Sequence, residues 1–327
     1  MSFSHHLQKF NRMTALGIDL GGTKLSLAVF TEQGNILLKK TIALQQREGS
    51  QVGDLIAKEI QKISALHRNI QSIGIAVPGI YHYKTGTVWA PNIKGWNDYP
   101  LLKHIQQSTG IPVTIDSDRA AHILGEFWMG NAKGCRNAIF LAVGTGIGAG
   151  ILVDGKILRG EQDIAGAVGW MALQQPFEEK YSSCGCFEHH ASGEGIAKIA
   201  KEILSRAADH NGVLREKNVE TITAHDVFAA YEQGDAIAKE VFNICIRFWG
   251  MAVANLVSLF NPEKIILGGG VFGPAVQFIP AIIDEAKKWA QPVALKHASI
   301  EASSLGGNAG LYGAGFLAFE NYKSSYE

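Results

Sequence analysis

ALGIDLGGTKLSLAVF (residues 15–30) reads as a strand, a glycine turn and a second strand. After the turn Leu25, Leu27 and Val29 alternate with Ser26 and Ala28, as a hairpin arm with one buried face requires. The order returns at AIFLAVGTGIGAGILVDGKIL (138–158): strand, Gly-rich turn, strand, then an Asp-Gly hairpin into a short third strand. Between the copies, Leu55, Ile56, Ile60 and Ile63 lie at helical spacing over 54–66. SIGIAVPGI (72–80) reads as a buried strand ending at a Pro-Gly turn, and IPVTIDSD (111–118) as another strand. RAAHILGEFWMG (119–130) continues as a helix stopped by Gly130. Beyond the second copy come a helical region over about 192–259, the strand and triple-glycine turn of NPEKIILGGGVF (261–272), and the helix-like AGLYGAGFLAFE (309–320). The pattern predicts an α/β chain with one hairpin-plus-helices unit used twice around a cleft. It has no short fixed period of the solenoid kind.

The 327 residues exceed what one compact core usually organises, so two lobes are expected. Hydrophobic residues make up 46% and charged residues 18%, which suits a globular protein with a substantial core. Thirty Lys plus Arg balance thirty Asp plus Glu, which argues against a general affinity for nucleic acid or for an anionic membrane. Four cysteines (Cys135, Cys184, Cys186 and Cys245) make no disulfide framework, so a reducing, cytoplasmic setting is expected. MSFSHHLQKFNRM lacks the apolar run of a secretory signal, and Met13 is an alternative start; residues 1–13 read as a disordered lead. The longest apolar run, 138–153, is too short and Gly-rich for a membrane span.

Gly turns leave backbone N–H groups exposed, and a row of them makes an anion-binding concavity. GTGIGAG (144–150) has the glycine spacing of a dinucleotide fingerprint, but a helix must follow directly, and here a strand does. Lys24 follows Gly-Gly-Thr into a strand, so this is no Walker loop either. DLGGT alone reads equally well as a plain tight hairpin. Three Gly turns, each after an apolar strand, favour wrapping a nucleotide.

DLGGTK (19–24), PG (78–79), PN-x-x-GW (91–96), GTGIGAGI (144–151), NPEKIILGGGV (261–271) and AGLYGAG (309–315) occur in this order. Together they resemble the sugar kinases of the ROK family. The resemblance implies the two-lobed actin-like ATPase fold, with duplicated ribonuclease H-like lobes and an interlobe cleft. It places a smaller lobe at 14–118 plus 306–327 and a larger one at 119–305. ROK repressors carry a winged-helix domain ahead of the first Gly motif, and fewer than twenty residues precede Asp19 here, so a kinase is expected.

The resemblance assigns roles by position. Asp118 falls on the catalytic base, which would accept the proton of the sugar hydroxyl attacking the γ-phosphate of ATP, at a primary hydroxyl of a hexose or hexose derivative. Asp19 would hold Mg²⁺, directly or through water, with Gly21, Gly22, Thr23 and Lys24 along one side of the phosphates. Gly144, Thr145 and Gly146 would face them from the other lobe. Gly268, Gly269 and Gly270 would line the nucleoside pocket, where a β-carbon would block adenosine. Asn92, Ser117, Asp118, Trp170 and Glu188 fall on sugar-contacting positions. A plain helix N-cap is the alternative for Asp118, with Asp116 or Ser117 able to cap in its place. A solvated surface acid is the alternative for Glu188. A homodimer is common in the family. The competing readings are a sugar- or nucleotide-sensing protein without catalysis and an actin-like chaperone or filament protein.

Three departures bear on substrate and metal. Family kinases read Ala-Gly-Glu-x-Gly-His where this chain has AGAVGW (165–170), so Ala167 and Trp170 replace an acid and a histidine that touch the sugar. Ser117 stands where Asn is usual. Trp170 would stack on a pyranose face or fill core, and a substrate other than plain glucose is expected. The family's zinc ligands are that same histidine and three cysteines. Anchored on GCFE (185–188), the first two cysteines fall on Glu179 and Tyr181, leaving Cys186 alone in place. Cys184, His189 and His190 close a tetrahedron poorly at their spacing, so no zinc site is expected. Trp170 and Tyr181 would pack where the metal sat.

Overall fold

The computed structural model describes residues 13–206 and 212–324; the expected lead, apart from Met13, lies outside them. Its contacts divide the chain into two units. The first takes the described residues of Met1–Gly134, Arg159–Ala165 and Asn308–Glu327, and the second those of Cys135–Leu158 and Gly166–Gly307.

The first unit opens with the antiparallel strands β1 (Thr14–Leu20), β2 (Lys24–Thr31) and β3 (Ile36–Ala43). Helix α1 (Ser50–Leu66) leads to β4 (Ile70–Val77), which lies parallel to β1. A small hairpin, β5 (Ile80–His82) with β6 (Thr87–Trp89), and helix α2 (Leu101–Thr109) precede β7 (Val113–Ser117), parallel to β4. The sheet order is β3-β2-β1-β4-β7. Helix α3 (Asp118–Met129) starts directly from β7.

The second unit repeats the plan. Strands β8 (Ala138–Val143), β9 (Ile147–Val153) and β10 (Lys156–Ile157) are antiparallel. Helices α4 (Cys186–Ala191), α5 (Gly193–Arg206), α6 (Ala224–Glu232) and α7 (Ala236–Phe260) follow. Then come β11 (Lys264–Gly268), α8 (Ile279–Ala286), α9 (Pro292–His297) and β12 (Ser299–Ala302). The order β10-β9-β8-β11-β12, with β11 parallel to both β8 and β12, matches the first sheet strand for strand. The duplication expected from the two hairpin motifs is present.

Helix α10 (Ala309–Ser324) returns to the first unit and packs on α3, β4 and β1. The approach is close because glycines stand at the contacts, on α10 and on its partners. A β-carbon on Gly313 would collide with the Ala121 carbonyl, and one on Gly74 with the Ala314 carbonyl. This packing groups α3 with the first unit, whereas the boundary expected from the resemblance starts the larger lobe at residue 119.

Helix α7 is apolar nearly all round because it runs through the core of the second unit, burying Phe242, Cys245, Trp249 and Val253. It is long and apolar enough to cross a membrane by composition, but most of its apolar stretch is buried among its own neighbours, as in a core helix. Burial of Phe242 alone stabilises the unit by about 2 kcal/mol. Trp249 Nε1 donates to the Ala191 carbonyl at 3.0 Å and so ties α7 to the end of α4.

Candidate active site

In the first unit, the turn between β1 and β2 is closed by the Gly21 N–H donating to the Lys24 carbonyl at 2.9 Å. Asp19 stands near the end of β1 and is partly buried. Three further groups gather on this turn. Asn92 lies beside Gly22, where a β-carbon would come within 3.2 Å of its own. Gly310, in the first turn of α10, would place a β-carbon 3.1 Å from Asp19 Oδ2. His122 on α3 is close enough to act electrostatically on both Asp19 and Asp118. Burial pushes the Asp19 carboxyl above the usual carboxylate range; His122 and Lys24 pull it back, and Asp118 pushes it further up.

Asp118 is the first residue of α3, and the N-cap beside it is Ser117, whose Oγ accepts the Ala120 N–H at 3.3 Å. The alternative role for Asp118 is therefore filled by its neighbour. Its carboxylate accepts the Arg119 N–H at 2.8 Å. Burial raises its pKa, and His122 and Arg119 oppose the rise. Ser117 Oγ, with one lone pair spent as a cap, keeps its hydroxyl hydrogen and its second lone pair for a further partner. Gly310 and His122 were missed in the sequence. His122 carries a signal, standing four residues after Asp118 on one helix face, but Gly310 is hidden among the other glycines of AGLYGAG.

In the second unit, the β8–β9 turn carries Gly144, Thr145 and Gly146. The first turn of α5 approaches it, with the Gly193 N–H donating to the Gly144 carbonyl at 2.7 Å. Beside the turn opens a cavity of about 510 Å³, lined by Gly144, Thr145, Lys198, Thr223, Phe228 and Gly270 among others. Its volume suits a nucleoside. Gly270 lines this cavity and has open space where a β-carbon would go. The other two glycines of the triple serve a different end. A β-carbon on Gly268 would strike the Phe140 ring, and one on Gly269, with φ +88°, the Val143 carbonyl. At these two positions it is the protein's own packing, before any ligand, that demands glycine.

Glu188 on α4 is tucked against the same turn. Its Oε2 accepts the Ile147 N–H at 2.6 Å, and a β-carbon on Gly146 would come within 2.7 Å of that oxygen. It is no solvated surface acid: burial raises its pKa, while the Ile147 bond lowers it. Helix α4 can begin here because Gly185 adopts φ +86° and passes against Gly169 and Trp170, where a β-carbon would clash. Trp170 is 57% exposed, which excludes the alternative that it fills core.

Tyr181, by contrast, is buried beside the two histidines, its ring 5.5 Å from His189 and 5.4 Å from His190. His190 stacks on Phe248 at 4.1 Å, and its Nδ1 lies 2.9 Å from the Cys186 carbonyl. His189 Nε2 is 3.5 Å from Glu202. Burial lowers the pKa of both histidines. All four cysteines are unpaired, and the described residues contain no group of three or more His, Cys, Asp or Glu arranged to hold a metal ion.

Comparison with known proteins accords with these features. A glucokinase of Halalkalibacterium halodurans is 32% identical over 320 residues, covering 94% of this chain and 96% of that one. A xylose repressor of Caldicellulosiruptor bescii is 33% identical over 262 residues, covering 77% of this chain and 65% of its own length. Among solved structures, a ROK family glucokinase from Streptomyces griseus, in complex with glucose and AMPPNP, superposes with a TM-score of 0.77 at 31% identity, covering 94% of this chain and 99% of that one. The model of the ROK family matches residues 15–321. With both glycine turns, both sheets of like order and nearly the whole described chain inside that match, the protein is a member of the ROK family with its duplicated, actin-like ATPase fold.

Proposed function

We propose that this protein is a carbohydrate kinase that transfers the γ-phosphoryl group of ATP to a primary hydroxyl of a hexose or hexose derivative. The observation that carries the reading is Asp118, a half-buried carboxylate at the start of α3 that is released from capping by Ser117 and sits in one electrostatic cluster with Asp19 and His122. A carboxylate so placed can take the proton of the attacking hydroxyl. Because the transition state of phosphoryl transfer is loose, orientation and charge neutralisation do most of the catalysis, and the base need not be strong.

The nucleoside fits the cavity beside Gly144, Thr145 and Gly270 in the second unit, and the β8–β9 turn offers N–H groups to phosphate oxygens. In the first unit the turn closed by the Gly21 N–H on the Lys24 carbonyl leaves Gly22 and Thr23 to do the same, with the Lys24 ammonium beside them. Asp19 suits Mg²⁺: it is an oxygen donor with a raised affinity for positive charge, in a cradle that a side chain at residue 310 would fill. Bound there, the ion would neutralise charge on the phosphates. Asn92 is the group the first unit can offer a sugar; the second can offer the free oxygen of Glu188 and the exposed ring of Trp170.

Ala167 and Trp170 remove two polar partners that the family pattern supplies near the anomeric carbon. A site without those partners discriminates less against sugars altered at C1 or C2, so a ketose, a 2-substituted hexose or a glycoside is favoured over plain glucose. The same two residues give the sensing reading its support. Release of ADP across a panel of sugars decides both points. A dominant rate with glucose would overturn the substrate preference, and binding without turnover of any sugar would favour the sensor.

A further inference from the structure

The seven residues Arg159–Ala165 leave the second unit at the end of its first hairpin and pack wholly on the first. They form a closed strap. The Ala165 N–H donates to the Arg159 carbonyl at 2.9 Å, Asp163 takes the left-handed conformation at φ +56°, and Gly160 does so at φ +74°. No motif marks this segment.

The strap holds the chain on both sides of Asp118. Two residues before it, Asp116 is 3% exposed, and both its oxygens are engaged. Oδ1 accepts the Ser117 N–H at 2.7 Å, while Oδ2 accepts Tyr83 Oη at 2.6 Å and Arg159 Nη2 at 2.7 Å. The Arg159 guanidinium also lies 4.4 Å from the centre of the Tyr83 ring, and the Tyr83 N–H donates to Asp163 at 3.3 Å. One residue after Asp118, the Arg119 guanidinium donates to the carbonyls of Ile164, at 3.3 Å, and Gly79, at 3.2 Å. Strand end and helix start are thus clamped to one segment, with Asp118 between the clamps.

An ion pair with one buried and one half-exposed partner, such as Asp116–Arg159, adds little net stability over an apolar replacement of similar shape. What it adds is direction, because two short bonds to one oxygen fix where β7 ends. We infer that Arg159 is a positioning residue for phosphoryl transfer, acting through Asp116 to hold the Asp118 carboxylate on the sugar hydroxyl. The inference rests on Asp118 being the base.

The test uses the full chain at saturating sugar and ATP, with kcat and both KM values measured for Tyr83→Phe, Arg159→Met, Arg159→Lys, Asp118→Asn and the double variant Asp118→Asn/Arg159→Met. Misplacement of a catalytic group by about 1 Å costs on the order of 100-fold, so Arg159→Met should lower kcat by roughly 30- to 100-fold with both KM values little changed. Arg159→Lys should recover much of the loss. In the Asp118→Asn background Arg159→Met should add nothing, because no base remains to position. Equal losses in both backgrounds, a change confined to KM, or no recovery with lysine would overturn the inference. If Arg159→Met does not fold, Tyr83→Phe with an unchanged unfolding temperature decides, and an undiminished kcat would overturn it. Turnover surviving in Asp118→Asn removes the base and the inference together. Loss in Asp118→Asn beside wild-type rates in Tyr83→Phe and Arg159→Met removes the inference alone.

Discussion

Gly310 faces Asp19: a β-carbon on the former would stand 3.1 Å from Oδ2 and 3.3 Å from Oδ1 of the latter. The amino end of α10 is thereby brought to a carboxylate beside the β1–β2 turn, where the positive end of the helix dipole favours negative charge. In Gly310→Ala we expect MgATP to be used roughly ten-fold less efficiently through displacement of Asp19. Alanine is the better helix former by about 1 kcal/mol, so the unfolding temperature should hold or rise. Steady-state kinetics beside thermal unfolding checks both, and full activity would show that the close approach serves packing only.

Asp118→Asn should lower kcat by about 100-fold or more, the usual range for removal of a general base. It should also stabilise the protein at neutral pH. The folded pKa of Asp118 is raised by burial, so its ionised form costs the fold stability above that pKa. The cost is relieved as pH falls from the raised folded value to the ordinary value of 3.8, below which both states are protonated. Asparagine removes it at every pH. Thermal unfolding at pH 7 should therefore rise by a degree or more in the variant, and the gap should close near pH 4; an unchanged gap would assign the difference elsewhere. The activity of the unaltered protein should fail on the acid side above the ordinary carboxylate range.

Glu188→Gln keeps an acceptor for the Ile147 N–H but loses the charge offered to the sugar. Hydrogen bonds to charged groups contribute about 1.5–3 kcal/mol, so kcat/KM for the sugar should fall about ten-fold or more while KM for ATP holds. Gly146→Ala should act in the same direction, because its β-carbon would crowd Oε2 at 2.7 Å. An unaltered sugar KM in both variants would return Glu188 to a purely structural role.

Gly313→Ala places a methyl group into the Ala121 carbonyl, and Gly74→Ala one into that of Ala314. Overpacking at such backbone contacts costs about 3 kcal/mol, and more where neither partner can move. Denaturant unfolding should show the loss in both variants. Stability within 1 kcal/mol of the unaltered protein would mean that α10 shifts at about no cost.

Asp226 closes a capping box at the start of α6 with Thr223 and pairs with Lys217 at 2.6 Å, which holds its pKa at about 2. Asp226→Ala should cost about 1 kcal/mol at neutral pH. A lowered folded pKa stabilises above the ordinary value of 3.8 and ceases to as pH falls through about 2, so the difference between the proteins should vanish in that window. A penalty persisting at pH 2 would mean that packing, not the charge, was lost.

Much of the frame was legible in the sequence because its signals are local. Both hairpins announce themselves by alternation and a glycine turn, and Asp118 by its place between strand and helix. What escaped was decided by distant partners. Gly268 and Gly269 read as ligand-facing, because a sequence does not show which way an absent β-carbon would point; Phe140 and Val143 stand there. Helix α3 seemed to open the second lobe until α10, far along the chain, supplied its packing partner. Trp170 read equally well as core or stacking surface, and only its exposure separates the two. The strap carries no pattern of its own, since Arg159 and Asp116 meet across forty-three positions.

The path of the chain also orders events in time. The sheet and α3 of the first unit are made early, but α10, whose glycine face they require, is translated only after the whole of the second unit. Until then β4 and α3 present bare backbone and small side chains to solvent. The middle of the chain holds a complete set of local partners and can condense as it emerges, whereas the opening segment must wait. A nascent chain halted before Ala309 should thus contain one finished unit and one unfinished, and only the latter should call on a chaperone.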